Sequence, residues 1–202
     1  MEVLIVSRTR MKKGVCCGGV NISNGEYVRL HDHFGKNLAD SAPFQIGQIY
    51  SMKYRDALHA RPIPHVEDKE IWPDFRLLKQ LSVSELITEI DKLIDVPNGG
   101  IDCIFEGKLR HSAYATYISP EAIPQNSVCF WRPNEPLIKS SFLGKTRYWF
   151  GGCHAISFVG FQEPVDIIPA GTLLRMSLAN WWSPDDITEK RCYLQLSGWF
   201  GL

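Results

Sequence analysis

The sequence lacks the features that define several large classes of protein. Its formal net charge is zero, because 22 lysines and arginines balance 22 aspartates and glutamates. This balance argues against bulk electrostatic capture of DNA but is compatible with a local basic groove. No apolar run reaches the ~18 residues that are needed to span a bilayer. The 202 residues, 45% of them hydrophobic, are enough for a core in one large domain or two small ones.

Signals for export and for a disulfide framework are also missing. The N-terminal apolar run comes before the nearby positive charges, and this order is wrong for a signal peptide. None of the six cysteines forms a C-x-x-C pair. We therefore expect a cytoplasmic protein with buried free thiols and no membrane segment.

Short strands separated by turns dominate the pattern. The first 33 residues predict a three-stranded meander with a hairpin turn at Asn24-Gly25. Residues 82–95 predict the one clear helix, because their apolar residues have helical spacing and Ser82 with Glu85 forms a capping box. From residue 101 onward, beginning with IDCIFEG at 101–107, strand-like segments recur at intervals of roughly ten residues.

This pattern predicts a mainly β fold with minor α: two small barrels with a linking helix. The predicted division is an N-terminal barrel at 1–75, a linking helix region at 76–100 and a C-terminal barrel at 101–202. In the last barrel, two alternating strands flank Trp181 and Trp182, which lead into a Ser-Pro-Asp-Asp turn signal. We expect Trp199 in the core and one of the two adjacent tryptophans at the surface.

Three segments combine unlike residues at fixed spacing: IVSRTRM with GVCCGGV near the N-terminus, PHVED at 64–68, and RCYLQLSGWF at 191–200. Together they resemble the motifs of the dual-OB-containing domain family. The resemblance implies two OB-like barrels and a place in prokaryotic conflict systems, where the domain is proposed to sense or bind nucleic acid or nucleotides. It carries over no catalytic residues.

Cations and aromatic residues are the candidate ligand contacts. OB barrels bind single strands by combining a positive groove with aromatic platforms. The densest positive charge lies at residues 8–13, and tryptophans are available to stack bases. The predicted nucleic-acid-binding residues are Arg8, Arg10, Lys12, Lys13, Arg29, Arg61, His65, Trp181 and Trp182. The same cations could instead form a solvated loop, and the aromatic residues, Trp149 and Trp199 included, could belong to the core.

Other polar groups have structural or catalytic alternatives. We expect Arg175 and Arg191 to pair with Asp185, Asp186 or Glu189. A metal site is an alternative for His31 and His33, which the strand pattern places on one face, with His65 or Cys153-His154 as a possible third ligand. Asp102, Glu106 and Lys108 would share a strand face if 101–107 is a strand, as in a metal-dependent nuclease. Cys153 with a histidine is a further nucleophile alternative.

The favoured interpretation is a non-catalytic module that binds nucleic acid or a nucleotide in a prokaryotic antiphage defence system, with no cofactor. A partner protein of that system is also possible, because a protein-interaction adaptor could grip a subunit through the proline-bearing strip ARPIPHVED. The metal-dependent nuclease is the third interpretation.

Overall fold

The protein is described here by a computed structural model that covers residues 1–58, 61–112, 115–185 and 187–202. The chain divides into two compact units, residues 1–95 with Gly201 and residues 96–200 with Leu202. Strands dominate both units, which confirms the mainly β fold class. The finer division at residues 75 and 100 stays a prediction. In the described ranges, no helix has the length and apolar character needed to cross a bilayer.

The first unit is a closed five-stranded barrel with a helix after it. Its described elements are β1 Glu2–Arg10, β2 Val15–Asn21, β3 Tyr27–His31, β4 Gln48–Asp56, β5 Asp68–Gln80 and α1 Val83–Leu93. The strand order around the barrel is β1-β2-β3-β5-β4, and β4 returns to β1. All neighbours are antiparallel except β3 and β5, which are parallel. This is the strand order of an OB fold.

Period-2 alternation sets which side chains of β3 face the barrel interior. Val28 and Leu30 belong to the buried cluster that fills the barrel. Arg29 and His31 therefore lie on the outer face of the strand. The predicted hairpin turn at Asn24-Gly25 is confirmed between β2 and β3.

Helix α1 begins where the capping box places its start. The Ser82 side chain accepts a hydrogen bond from the Glu85 backbone N–H, and the Glu85 carboxylate accepts one from the Ser82 backbone N–H. Two orphan donors of the first turn are thereby satisfied. The helix buries Leu86 and Ile90 and ends at Leu93 with Ile94 as its C-cap, two residues before the end of the predicted range.

The second unit contains a larger sheet. Its described strands are β6 Asn98–Gly99, β7 Arg110–Ser112, β8 Ala115–Ile118, β9 Val128–Pro133, β10 Leu137–Phe142, β11 Lys145–Phe150, β12 His154–Phe158, β13 Ile167–Ile168, β14 Leu173–Leu178 and β15 Cys192–Phe200. Five of them repeat the order of the first barrel, since β10-β11-β12-β15-β14 corresponds to β1-β2-β3-β5-β4. The parallel pair recurs as β12 with β15. Strand β9 pairs with β14 and leads into β10 through residues 134–136, so β9 and β10 together take the place of β1.

Several local predictions are wrong. Residues 101–107 are two 3₁₀ turns, Ile101–Cys103 and Phe105–Gly107, because Ile101, Ile104 and Phe105 follow turn spacing and all three are buried. Strand β1 runs on to Arg10, so the basic segment is partly strand. Strand β5, which the pattern did not predict, continues through Pro73 to Gln80.

The cysteines are free, but they are less buried than the sequence predicts. Cys17 and Cys192 are buried, whereas Cys103 and Cys153 are exposed. Burial raises the pKa of both Cys17 and Cys192 to about 12, so neither thiol is poised as a nucleophile.

Candidate nucleic-acid interface

The turn between β1 and β2 presents cations to solvent. Arg10, Lys12 and Lys13 are exposed there. Gly14 closes the turn with φ +74° against Leu38, whose carbonyl oxygen would lie 2.1 Å from a Cβ at this position. The Val15 backbone N–H also donates to that carbonyl, at 2.9 Å. Position 14 therefore requires glycine for the basic turn to pack against the loop that follows β3.

Arg8 has a different environment from the other three cations of this segment. Its guanidinium donates to the carbonyl oxygens of Ala42 at 2.9 Å, Phe44 at 3.1 Å and Asp40 at 2.5 Å. Phe44 is part of the barrel core. Arg8 therefore anchors residues 40–44 to β1, which is a structural task.

The loop after β3 adds a cation and an exposed aromatic ring beside the basic turn. The Asn37 side-chain amide donates to the Lys13 carbonyl at 3.2 Å and joins this loop to the turn. Lys36 is exposed, and Phe34 is 72% exposed. The ring centroid of Phe34 lies 3.7 Å from that of His33.

A shallow hollow of ≈ 160 Å³ continues this surface on β4 and β5. His33, Arg55, Glu70 and Trp72 line it. The Arg55 guanidinium pairs with buried Glu70 at 2.8 Å, and its central carbon lies 5.5 Å from the Trp72 ring. We call the combined surface the basic–aromatic face; it consists of Arg10, Lys12, Lys13, Phe34, Lys36, Arg55 and Trp72.

The Asp68 carboxylate forms ion pairs with two of the predicted ligand cations. Arg29 pairs with one of its carboxylate oxygens and Arg61 with the other, at 3.1 Å. The His31 Nε2 atom lies 3.2 Å from the first oxygen. Burial alone would raise the pKa of Asp68, but the neighbouring His31 and Arg29 outweigh it and lower the pKa to about 2. Asp68 is therefore ionised at neutral pH and joins β3, β5 and the loop before β5.

The PHVED segment buries its polar side chains. His65, Glu67 and Asp68 are at most 6% exposed, whereas Val66 is 50% exposed. The Glu67 carbonyl accepts the Arg29 backbone N–H at 2.7 Å. The segment therefore closes the barrel between β3 and β5, and His65 has little surface for a ligand.

The two adjacent tryptophans of the second unit differ in exposure. Trp182 is 55% exposed, and its ring centroid lies 6.0 Å from that of Tyr193. Trp181 is half-buried against the core of the unit. The Arg191 guanidinium lies 4.1 Å from the centre of the Tyr117 ring. Trp182, in the loop between β14 and β15, therefore packs beside an aromatic ring of β15.

The carboxylates predicted to pair with Arg175 and Arg191 differ from one another in the groups that they contact. Asp185 accepts hydrogen bonds from the Ile187 and Thr188 backbone N–H groups, so it caps its own turn. Glu189 lies 3.6 Å from Arg191, as predicted. Asp186 lies outside the described residues.

The His31–His33 metal alternative and the nuclease alternative lose their geometric basis, whereas the Cys153 alternative stays a prediction. His31 is buried at the end of β3, while His33 is exposed beyond it, so they do not share a strand face. Glu106 lies in a 3₁₀ turn, pairs with Lys108 and accepts the Gln125 backbone N–H. Within the described ranges no group of three or more His, Cys, Asp or Glu side chains is arranged to hold a metal ion.

Sequence reasoning missed Phe34, Lys36, Arg55 and Trp72. The HFGK segment offered a weak signal, because an aromatic residue stands beside a turn glycine and a lysine. No local pattern brings Arg55 and Trp72 to the same surface, since antiparallel pairing of β4 with β5 does so.

A family model described as "Dual OB-containing domain" matches residues 1–199. The chain is also similar to the solved HINb domain of p204, with 13% identity over 97% of this chain and 95% of that one and a TM-score of 0.36. The HINa domain of Ifi202, solved in complex with 20-bp dsDNA, is 12% identical over 97% of this chain and 89% of that one, with a TM-score of 0.33. No curated protein matches the sequence.

Proposed function

Because the chain belongs to the dual OB-containing domain family, we propose that it is a non-catalytic module that binds nucleic acid or a nucleotide. The first barrel binds phosphates through the basic–aromatic face. On the second unit, the exposed ring of Trp182 is a separate stacking surface for a base. In the predicted biological setting, this binding is the sensing step of a prokaryotic antiphage defence system.

The position of the exposed lysines carries the proposal. OB folds bind oligonucleotides on the face of their second and third strands, beside the loop that joins strands one and two. Here that loop is the turn with Lys12 and Lys13. Exposed cations beside exposed rings are the combination that binds single strands.

The buried charges favour binding over chemistry. Asp68 forms ion pairs with Arg29 and Arg61. Glu70 forms one with Arg55. Each carboxylate therefore supports the fold of the face and leaves Lys12 and Lys13 to meet the ligand. This proposal assigns a role in stabilising the fold, rather than in ligand contact, to four of the predicted binding residues: Arg8, Arg29, Arg61 and His65.

The test is the double variant Lys12→Ala/Lys13→Ala. Loss of two phosphate contacts should weaken binding of labelled oligonucleotides and reduce the slope of log K against log salt by about 1.4 for a single strand or 1.8 for a duplex. Fluorescence polarisation with single-stranded DNA, single-stranded RNA and duplex, from about 50 to 300 mM salt, measures both quantities.

Lys79→Ala/Lys92→Ala is the matched control, because it removes two exposed lysines from β5 and α1 and leaves the turn intact. This control should keep the wild-type slope. Equal slopes for the wild type and the Lys12/Lys13 variant would remove the turn from the site.

Protein recognition is the second candidate, and the outer half of β5 favours it. Strand β3 pairs with β5 only at residues 68–70. Beyond them, Trp72, Leu77 and Leu78 are exposed on a strand that pairs with β4. An edge of this kind can add a strand from a partner. Failure of the wild type to bind any of the three nucleic acids would favour this function over the first.

A further inference from the structure

The outer face of β10, β11 and β12 is a second aromatic surface, distinct from the basic–aromatic face. Strand register fixes its members, because directly paired residues share a face. Ile138 pairs with Trp149 and Trp149 with Ala155, while Ser140 pairs with Arg147 and Arg147 with Ser157. Phe142 pairs with Lys145 at the hairpin end. The opposite face contains Leu137, Tyr148, Phe150 and Ile156, which all belong to the core.

The aromatic groups of this face are held in fixed orientations. The Trp149 indole N–H donates to Ser140 Oγ at 2.9 Å. The central carbon of the Arg147 guanidinium lies 4.8 Å from the centre of the Phe142 ring, and Phe142 is 52% exposed. The Arg147 Nε atom is buried and has no hydrogen-bond partner among the described residues. The face therefore presents rings and a guanidinium plane before any ligand arrives.

The charge of the face selects the class of ligand. Its eight outward positions include Lys145 and Arg147, and none of these described positions is acidic. Two cations beside flat rings complement a polyanion that also offers flat bases. Strands β11 and β12 are also the second and third strands of this OB order, where OB folds take oligonucleotides.

We propose that the outer face of β10–β12 binds unpaired nucleobases of single-stranded DNA or RNA, with Phe142 and Trp149 as stacking platforms and Arg147 and Lys145 beside the backbone. The inference rests on the proposed function only in taking nucleic acid as the ligand. Bases in a duplex are already stacked on their neighbours, so this face discriminates in favour of single strands.

The experiment compares the full-length wild type with Phe142→Ala, using labelled 20-nucleotide oligothymidine, oligouridine of the same length and a 20-bp duplex. Loss of one stacked base should weaken binding of a single strand about 5- to 100-fold and change duplex affinity less than about 2-fold. The two single-stranded probes show whether DNA or RNA is preferred. Tryptophan fluorescence gives a second readout, because Trp149→Phe should reduce the quenching that a single strand causes.

Val83→Ala is the control, because Val83 is an exposed apolar residue of α1 that belongs neither to this face nor to the basic–aromatic face, and its loss should leave binding unchanged. Circular dichroism checks that each variant is folded. Wild-type affinity of Phe142→Ala for both single strands overturns the inference, and so does an equal loss for single strands and duplex. If Lys12→Ala/Lys13→Ala weakens binding while Phe142→Ala does not, the proposed function stands without this second surface.

Discussion

Asp68 shows how a single carboxylate changes the task of two arginines. Arg29 and Arg61 are 15% and 28% exposed, and both pair with this one buried acid. Both predicted ligand arginines outside residues 8–13 are thereby committed to the fold. A surface made of arginines alone would repel itself, whereas Asp68 lets β3 and the loop before β5 approach each other.

Asp68→Asn should therefore lower the free energy of unfolding. Removing one partner of a buried ion pair leaves its cations uncompensated, and we expect a loss of about 3 kcal/mol, at the low end of the typical range because both arginines are partly exposed. Urea unfolding at pH 7 measures the loss. Asp40→Asn, at an exposed position, should change stability by less than about 0.5 kcal/mol.

The pH dependence of the same variant has a definite sign. The pKa of Asp68 falls from an ordinary 3.8 in the unfolded chain to about 2 in the fold. Its stabilising contribution is therefore complete above about pH 4 and is lost as the pH falls towards 2. Asp68→Asn should lack this part of the acid-induced loss, and identical acid profiles for both proteins would contradict the assignment.

The sequence shows the arginines but cannot show this partner. Arg29 and Asp68 are 39 residues apart, and only the pairing of β3 with β5 makes them neighbours. The exposed turn with Lys12 and Lys13 is local, and so the sequence identifies it. A basic turn within one hairpin is thus predictable, whereas a charge cluster across strands is not.

At the scale of elements, the capping box of α1 is a local sequence signal that correctly predicts where the helix begins. Ser82→Ala removes the side-chain acceptor of the Glu85 backbone N–H. We expect a loss of about 1 kcal/mol in the free energy of unfolding, measured by urea titration. Thr88→Ala in the same helix is the control and should be neutral or slightly stabilising, because alanine has the higher helix propensity. Equal stability of both variants would show that the cap is not formed.

The segment 101–107 shows where local pattern fails. Its apolar residues fit a strand as well as a turn, and the positive φ values of Phe105 and Glu106 decide for the turn. At the end of β15 the prediction that Trp199 lies in the core is confirmed, but simple alternation along the strand is not the reason. A bulge opposite Arg175 and Met176 shifts the alternation, so Trp199 joins Leu194 and Leu196 in the core although it stands an odd number of residues from both. Register irregularities of this kind leave no mark in the sequence.

At the scale of the whole molecule, the two barrels have separate cores in the described residues. Ile5 belongs to one buried cluster and Ile156 to the other, and both are fully buried. The repeated strand order was expected only through the family resemblance, because strand order follows from long-range pairing. Periodicity and turn spacing alone predict a mainly β fold of two small barrels with a linking helix.

Separate cores predict separate local responses to cavities. Ile5→Ala and Ile156→Ala should each cost about 2–5 kcal/mol. Hydrogen–deuterium exchange should rise first in residues 1–95 for the former and in 96–200 for the latter. Ile187→Ala, which alters a 96% exposed side chain, should leave exchange in both ranges unchanged. A uniform rise after either core variant would contradict separate cores.

The parallel pairing of β3 with β5 also governs how the chain folds during synthesis. Strand β3 meets its second neighbour only after residue 68 has left the ribosome, and β12 waits in the same way for β15. Contacts between such distant residues form slowly, because a long loop must close first. Until then each nascent sheet has an open edge that can pair with another chain. Synthesis is therefore the stage at which this protein is most exposed to aggregation.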